Sequence, residues 1–381
     1  MRPSVIPFSQ FIREVPQERI CEILASATPD RALSAVRRAV ALEPLTLEDF
    51  ASLISEPSFV HIETIAQAAA AVTRSRFGNT MTLYAPVYVS NECVNACAYC
   101  GFNCRNKISR VTLSLDEAAE QFDAVRARGF GHVLILTGES RRAAPIEYLD
   151  AVIRLAAQRF DSVSIEVYPL ERDEYARLVT AGCDGITVYQ ETYDPAVYSD
   201  MHPAGPKRDY NYRLDTPGRA ADAGIRTVGL GALLGLSDWR IETLYIALHA
   251  RYVMANWWRT KLSVSFPRLR PANGGFQPLQ TVTDANLVQM LVALRLFLPD
   301  AELVVSTREP AALRDRLLPL GVTRMSAGSR TAPGGYTESP LDAKDKEQFS
   351  IDDQREPEIV AAMIESHGFE AVWKDFDRAM M

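Results

Sequence analysis

From Met81 onward, short apolar runs alternate with longer segments whose apolar residues recur every three or four positions, and the rhythm repeats eight times. The runs are "TLYAPVYVS", "HVLILTG", "SVSIEVYP", "GITVYQ", "RTVGLGAL", "KLSVSFP", "AELVVSTR" and "VTRMSAG". Between them lie amphipathic stretches such as "LDEAAEQFDAVRARG" and "IEYLDAVIRLAAQRF". Strands separated by helix-length crossovers must pair in parallel. Eight such units over this length favour closure into a barrel over an open doubly wound sheet. The expected fold is therefore α/β: a (β/α)8 TIM-type barrel over residues 81–335, with an N-terminal helical segment over 1–80 and a short C-terminal extension over 336–381 packing on the barrel.

The flanks read differently. "PQERICEILASA", "LTLEDFASLIS" and "FVHIETIAQAAAAVTRSRFG" carry helical periodicity without catalytic spacing, as a packing layer would. The tail opens polar, "DAKDKEQFSIDDQREPE", continues in a helix, "PEIVAAMIESHG", and finishes aromatic and acidic, "FEAVWKDFD". With 41 Lys and Arg against 48 Asp and Glu, the chain lacks the basic field of a nucleic-acid binder. No apolar run reaches the length of a membrane span, and "MRPSVIPFSQ" lacks the layout of a signal peptide. A soluble cytoplasmic protein is expected, with no nucleic-acid or membrane partner.

Barrels of this kind collect function on the loops that leave the C-terminal ends of their strands. "NECVNACAYCGFNCRN" leaves the first strand, "TGES" the second, "EVYP" ends the third, and "YQETYD" leaves the fourth. "STRE" and "MSAGSRT", followed by "PGGY", leave the last two. The first loop holds four of the six cysteines, with Cys93, Cys97 and Cys100 in a C-x3-C-x2-C pattern. A disulfide framework suits neither so large a chain nor this compartment. Structural zinc normally joins two separated pairs of ligands, and here the second pair is missing unless Cys104 contributes. Three thiolates on one short loop can instead hold three irons of a [4Fe-4S] cluster, leaving the fourth iron open. A four-cysteine electron-transfer cluster and zinc stay as the alternatives. Cys21 and Cys183 read as buried small hydrophobes, His249 as a packed histidine, and "TAPGGY" equally as a turn or as part of the site.

With Tyr99 just before the last cysteine of the C-x3-C-x2-C pattern, this loop resembles that of the radical S-adenosylmethionine (SAM) superfamily. "TGE", "YQETYD", "MHPAGPKRDYNYRL", "GLGALLGLSDWR", "SFPRLRP", "STREP", "MSAGSRTAPGGY" and "VWKDFD" extend the likeness to the 2-iminoacetate synthase family, from about Phe59 nearly to the C-terminus. The resemblance implies that Cys93, Cys97 and Cys100 ligate a [4Fe-4S] cluster whose open iron binds SAM, and that Cys104 is not a ligand. Tyr99 would then pack near the adenine, Gly138 and Glu139 would meet the methionyl ammonium, and Glu166, Gln190 and Glu191 would reach the ribose. Arg213 would face the SAM carboxylate. Thr137 stands where many superfamily members have a further Gly. Ser306 and Arg308, with Ser326 and Arg330 one strand on, would anchor the substrate carboxylate, with Arg268 or Arg270 sharing the task.

The implied reaction is cleavage of the Cα–Cβ bond of L-tyrosine to 2-iminoacetate and p-cresol, with SAM converted to 5′-deoxyadenosine and methionine, in thiamine thiazole formation. Implied partners are thiazole synthase and a one-electron donor such as flavodoxin or ferredoxin. The hydrogenase-maturation tyrosine lyases share the first half-reaction but bind a second cluster through cysteines of a C-terminal extension. No cysteine follows Cys183 here, which favours the thiazole pathway.

Overall fold

A computed structural model describes residues 5–338 and 343–374. Eight parallel strands form the barrel: β1 (Thr80–Ser90), β2 (His132–Thr137), β3 (Ser162–Glu166), β4 (Gly185–Thr187), β5 (Thr227–Gly231), β6 (Lys261–Ser265), β7 (Glu302–Val305) and β8 (Arg324–Ser326). Neighbours in sequence are neighbours in the sheet, and β1 hydrogen-bonds to both β2 and β8, closing the ring. Each of the eight apolar runs supplies one strand.

The period of two along each strand separates two cores. On β2, Val133 and Ile135 join the large outer core beneath the helices, while Leu134 and Leu136 point inward to Tyr84, Tyr88 and Val304. Outside the barrel, helix starts are fixed by their own sequence. Ser114 and Glu117 form a capping box on Leu115–Ala127, Thr283 and Asn286 another on Asp284–Phe297, and Asp238 caps Trp239–Asn256.

The N-terminal helices Leu47–Ile54 and Ile62–Phe77 pack on Asp284–Phe297, as a packing layer should. Phe50 lies 4.5 Å from Phe297 between ring centroids, and Gln289 donates to the carbonyls of Leu53 and Ser55. A further helix, Pro29–Val40, was not anticipated, although Thr28 caps it and Pro29 opens it. Cys21 is exposed, not buried, because Ile20 and Ile23 take the inner face of Gln17–Ala25. Cys183 is buried, its thiol donating to the Gly185 carbonyl.

The extension does more than pack outside. After the helix Pro357–Ser366, β9 (Glu370–Val372) pairs with the start of β1, and the Trp373 carbonyl accepts from the Gly131 amide just before β2. It therefore fills the seam below Ala85, where β1 has not yet met β2. Ser339 to Asp342 of the tail, and Asp375 to Asp377 of its aromatic-acidic finish, lie outside the described residues. Nearer the mouth, Asp353 forms a fully buried ion pair with Arg314, whose guanidinium also donates to the Ser326 carbonyl.

Removing one member of a buried pair strands the other charge, at a cost of about 3–5 kcal/mol. Asp353→Ala should therefore destabilise the protein by about that amount in urea titrations. Arg19→Ala, which removes the exposed Arg19–Glu22 pair, should change stability by less than about 1 kcal/mol.

Candidate active site

The cysteine loop leaves β1 and is folded by its own polar residues. Asn91 accepts from the Val111 amide and donates to the Ser109 carbonyl, while Arg110 donates to the carbonyls of Asn91, Phe102 and Asn103. Asn95 donates to Glu139 at 2.6 Å and accepts from the Lys207 amide at 3.0 Å, tying the loop to those after β2 and β4. The Val94 amide donates to the Glu139 carbonyl as well. Gly138 is pressed against this loop, since a Cβ there would lie 2.3 Å from the Glu92 carbonyl oxygen. Its missing side chain makes room for the cysteine loop.

Cys93, Cys97 and Cys100 line one pocket together with Gly138, Glu139, Glu191 and Arg213. Burial pushes the Cys97 and Cys100 thiols up, and neighbouring cysteines push them further, while Lys207 acts in the opposite sense. Three thiolates this close need a cationic group between them. The donor set thus fits an iron–sulfur cluster. Cys104 is exposed and outside the pocket lining.

Charge is concentrated opposite the cysteines. Glu191 sits at φ +73°, an uncommon conformation for a non-glycine residue. Its carboxylate accepts from Lys207 Nζ at 2.6 Å and lies 3.5 Å from Arg213 Nη2. Burial alone would raise its pKa, but these two cations hold it below the usual carboxylate value. The turn is pinned from behind, because Thr192 Oγ1 and the Tyr193 amide both donate to the buried Glu242 carboxylate. Glu166 is pushed up to about 7 by burial and then by Glu191, against the opposing pull of Arg308, Arg213 and Lys207. Arg213 also donates from Nε to the Tyr189 carbonyl at 2.7 Å. Gln190 turns away, its Nε2 3.5 Å from the Tyr210 carbonyl.

A second chamber continues into the barrel. Ser306, Arg308 and Ser326 line it with Tyr84, Tyr88 and Tyr189. The Arg308 guanidinium lies over the Phe349 ring, 3.4 Å from its centroid, and makes no ion pair among the described residues. Tyr99 and Arg270 line an adjoining compartment, where the Tyr99 hydroxyl meets His202 Nε2 at 2.8 Å. Glu166 and Gln348 border all three spaces.

Several expected residues stand elsewhere. Arg330 pairs with Glu356 outside the chamber lining, and Arg268 is taken up by Glu309 and Asp284. Of "TAPGGY", Thr331 lines the second chamber, whereas Tyr336 donates to the Pro86 carbonyl. His249 is buried, stacked 3.8 Å from Phe8 and hydrogen-bonded to Tyr193, with its pKa lowered by burial to about 3; it is a neutral packing residue. Conversely, Asn95, Lys207, Gln348 and Phe349 belong to the site without having been anticipated. Lys207 lay in a quoted motif, but neither spacing nor periodicity distinguished it from an exposed lysine.

Residues 87–247 match the model of the radical SAM superfamily, and 265–370 that of the Biotin and Thiamin Synthesis associated domain. The chain is 43% identical over 343 residues to the 2-iminoacetate synthases of Salmonella typhimurium and Escherichia coli, with 90% of each protein covered. The chain belongs to the 2-iminoacetate synthase family. Its radical SAM membership implies an iron–sulfur cluster and SAM. Among solved structures, HydG, a maturase of the [FeFe]-hydrogenase, superposes with a TM-score of 0.87 at 30% identity, covering 93% of this chain and 80% of that one. Methylornithine synthase (PylB), at 21% identity and a TM-score of 0.71, shares the fold.

The Glu242 clamp has a pH signature. Burial raises its carboxyl to about 7, against opposing hydrogen bonds from Thr192 and Tyr193. Because the folded value exceeds the unfolded one near 4.3, the folded state holds the proton more tightly. Stability is then lost as pH rises through this window. Between about pH 5 and 8 the wild type should lose about 2–3 kcal/mol relative to Glu242→Gln. Thermal denaturation of both proteins across that range measures it, and parallel curves would contradict it.

Proposed function

We propose that this radical SAM lyase cleaves the Cα–Cβ bond of L-tyrosine, giving 2-iminoacetate and p-cresol for thiazole formation. The observation that carries the reading is a chamber containing Arg308, which makes no ion pair among the described residues, bordered by the same Glu166 and Gln348 that border the three-cysteine pocket. When bound, a [4Fe-4S] cluster at Cys93, Cys97 and Cys100 supplies the electron that splits SAM into methionine and a 5′-deoxyadenosyl radical.

The chain's own residues do the rest. Glu139 offers a carboxylate to the methionyl ammonium, and Arg213 a guanidinium to the methionyl carboxylate. Glu191 and Glu166 face the ribose hydroxyls, with Tyr99 toward the adenine. Arg308 takes the tyrosine carboxylate, helped by the Ser306 and Ser326 hydroxyls. Tyr84, Tyr88 and Tyr189 wall the phenol ring. Held this way, the substrate amino group faces the SAM pocket, and hydrogen abstraction there leads to Cα–Cβ scission. Two electrons enter per turnover: one cleaves SAM, and the other, with a proton, converts the hydroxybenzyl fragment to p-cresol. A flavodoxin or ferredoxin supplies them. The imine hydrolyses in water, so direct transfer to thiazole synthase follows from its chemistry. The two proteins should co-elute anaerobically, and separate elution at every concentration tried would argue against the complex.

Reconstituted enzyme given SAM, dithionite and tyrosine should release p-cresol and 5′-deoxyadenosine together. Deoxyadenosine without p-cresol would leave the radical chemistry standing and remove tyrosine as substrate. Arg308→Ala should lower kcat/KM for tyrosine by about 10- to 100-fold, the loss of one charge-assisted pair. Iron content and tyrosine-independent SAM cleavage should not change. Loss of the cluster would make Arg308 structural.

A further inference from the structure

The C-terminal extension crosses the barrel mouth as a strap held on both sides. The Gln348 amide donates to the Thr331 carbonyl beyond β8, and the Gln348 carbonyl accepts from the Gly101 amide in the cysteine loop, both at 3.0 Å. Gly101 directly follows Cys100, and a Cβ on it would lie 2.4 Å from the Gln348 carbonyl oxygen. The absence of a side chain lets the two backbones meet. Clamped this way, the Gln348 side chain points into the mouth. Its Oε1 accepts from the Tyr88 hydroxyl at 2.7 Å, and its Nε2 lies 3.7 Å from Cys100 Sγ.

We propose that Gln348 tunes the reduction potential of the cluster through an N–H···S hydrogen bond to Cys100, with Tyr88 anchoring the far end of the amide. The proposal rests on the cluster reading above. Adding an electron places more negative charge on the sulfurs, so a donor aimed at one stabilises the reduced state more than the oxidised one. The reversed amide would turn Oε1 toward a thiolate, which is repulsive, while the Tyr88 hydroxyl accepts either arrangement. Gln348 donates without carrying charge, unlike Lys207 nearby, so its influence is confined to the sulfur it touches. It is a positioning and tuning residue, and it touches no reacting carbon.

The test is an EPR-monitored redox titration, without SAM, of reconstituted wild type, Gln348→Leu, Gln348→Glu and Tyr88→Phe, with iron and sulfide assayed in each. Gln348→Leu should shift the reduction equilibrium toward the oxidised cluster by about threefold or more, where tenfold corresponds to 59 mV for one electron. Gln348→Glu, which sets a carboxylate oxygen against the sulfur, should shift it further, and Tyr88→Phe in the same direction by less. Wild-type midpoints in both Gln348 variants at full iron content would overturn the proposal. Loss of the cluster from both would also overturn it, reducing Gln348 to a clamp. A wild type that binds no cluster would fell the functional reading itself, a result distinct from either.

Discussion

Buried Arg213 and the largely buried Lys207 lie beside the carboxylate of Glu191 at the mouth of the barrel, and the surrounding loops are arranged to keep those three groups together. Taking charges out of water costs several kcal/mol for each ion, recovered only when partners and hydrogen bonds are in place. The recovery here comes from three loops at once. Asn95 of the cysteine loop accepts from the Lys207 backbone, the turn after β4 carries Glu191, and Glu242 holds that turn from behind. The uncommon backbone conformation at Glu191 is held on both sides, by its ion pairs to Lys207 and Arg213 and by the hydrogen bonds of Thr192 and Tyr193 to Glu242. Lys207, held there by Glu191, is also the cation that opposes the upward push of burial on the Cys97 and Cys100 thiols.

The same arrangement explains what could be read in the sequence. The eight strands were legible because each is a run of alternating inward and outward apolar residues, a local pattern. The cysteine spacing was legible because three ligands of one cluster lie on one loop. Glu139, Glu191 and Arg213 were found through motif resemblance, and they meet in one pocket. Lys207 and Gln348 were not legible, because no local pattern places them: Lys207 folds back onto Glu191 within the long connection after β4, and the strap carrying Gln348 folds back more than two hundred residues onto Gly101. Arg330 and Arg268 were over-read for the same reason. An arginine on a loop looks identical whether it faces a substrate or a neighbouring carboxylate, and Glu356 and Glu309 are remote from them in sequence.

The extension reads from sequence as a segment packing on the barrel, and it meets the barrel at both ends. β9 occupies the seam that β1 leaves open at the bottom, while the strap bridges the cysteine loop and the β8 loop at the top. The buried Arg314–Asp353 pair lies in the run between them, anchoring the segment to the helix that follows β7.

This anchoring bears on how the two matched family models divide the chain. The radical SAM match ends at 247, inside the helix Trp239–Asn256, and the thiamine-associated match begins at 265, the last residue of β6. A boundary drawn there cuts a closed sheet between β5 and β7, so the second match cannot be a domain that folds by itself. It comprises the last strands of the barrel together with the strap and most of the sequence leading to β9. Physically, the division is one of task. The first match carries the three cysteines and the carboxylates and cations that line the pocket with them. The second carries Ser306, Arg308, Ser326 and the strap that roofs them, and so determines what lies beside that pocket. Glu166 and Gln348 join the spaces, since both border the cysteine pocket, the Arg308 chamber and the adjoining compartment. Barrel closure therefore completes the active site as well as the sheet, since neither half of the chemistry has walls until β8 returns to β1.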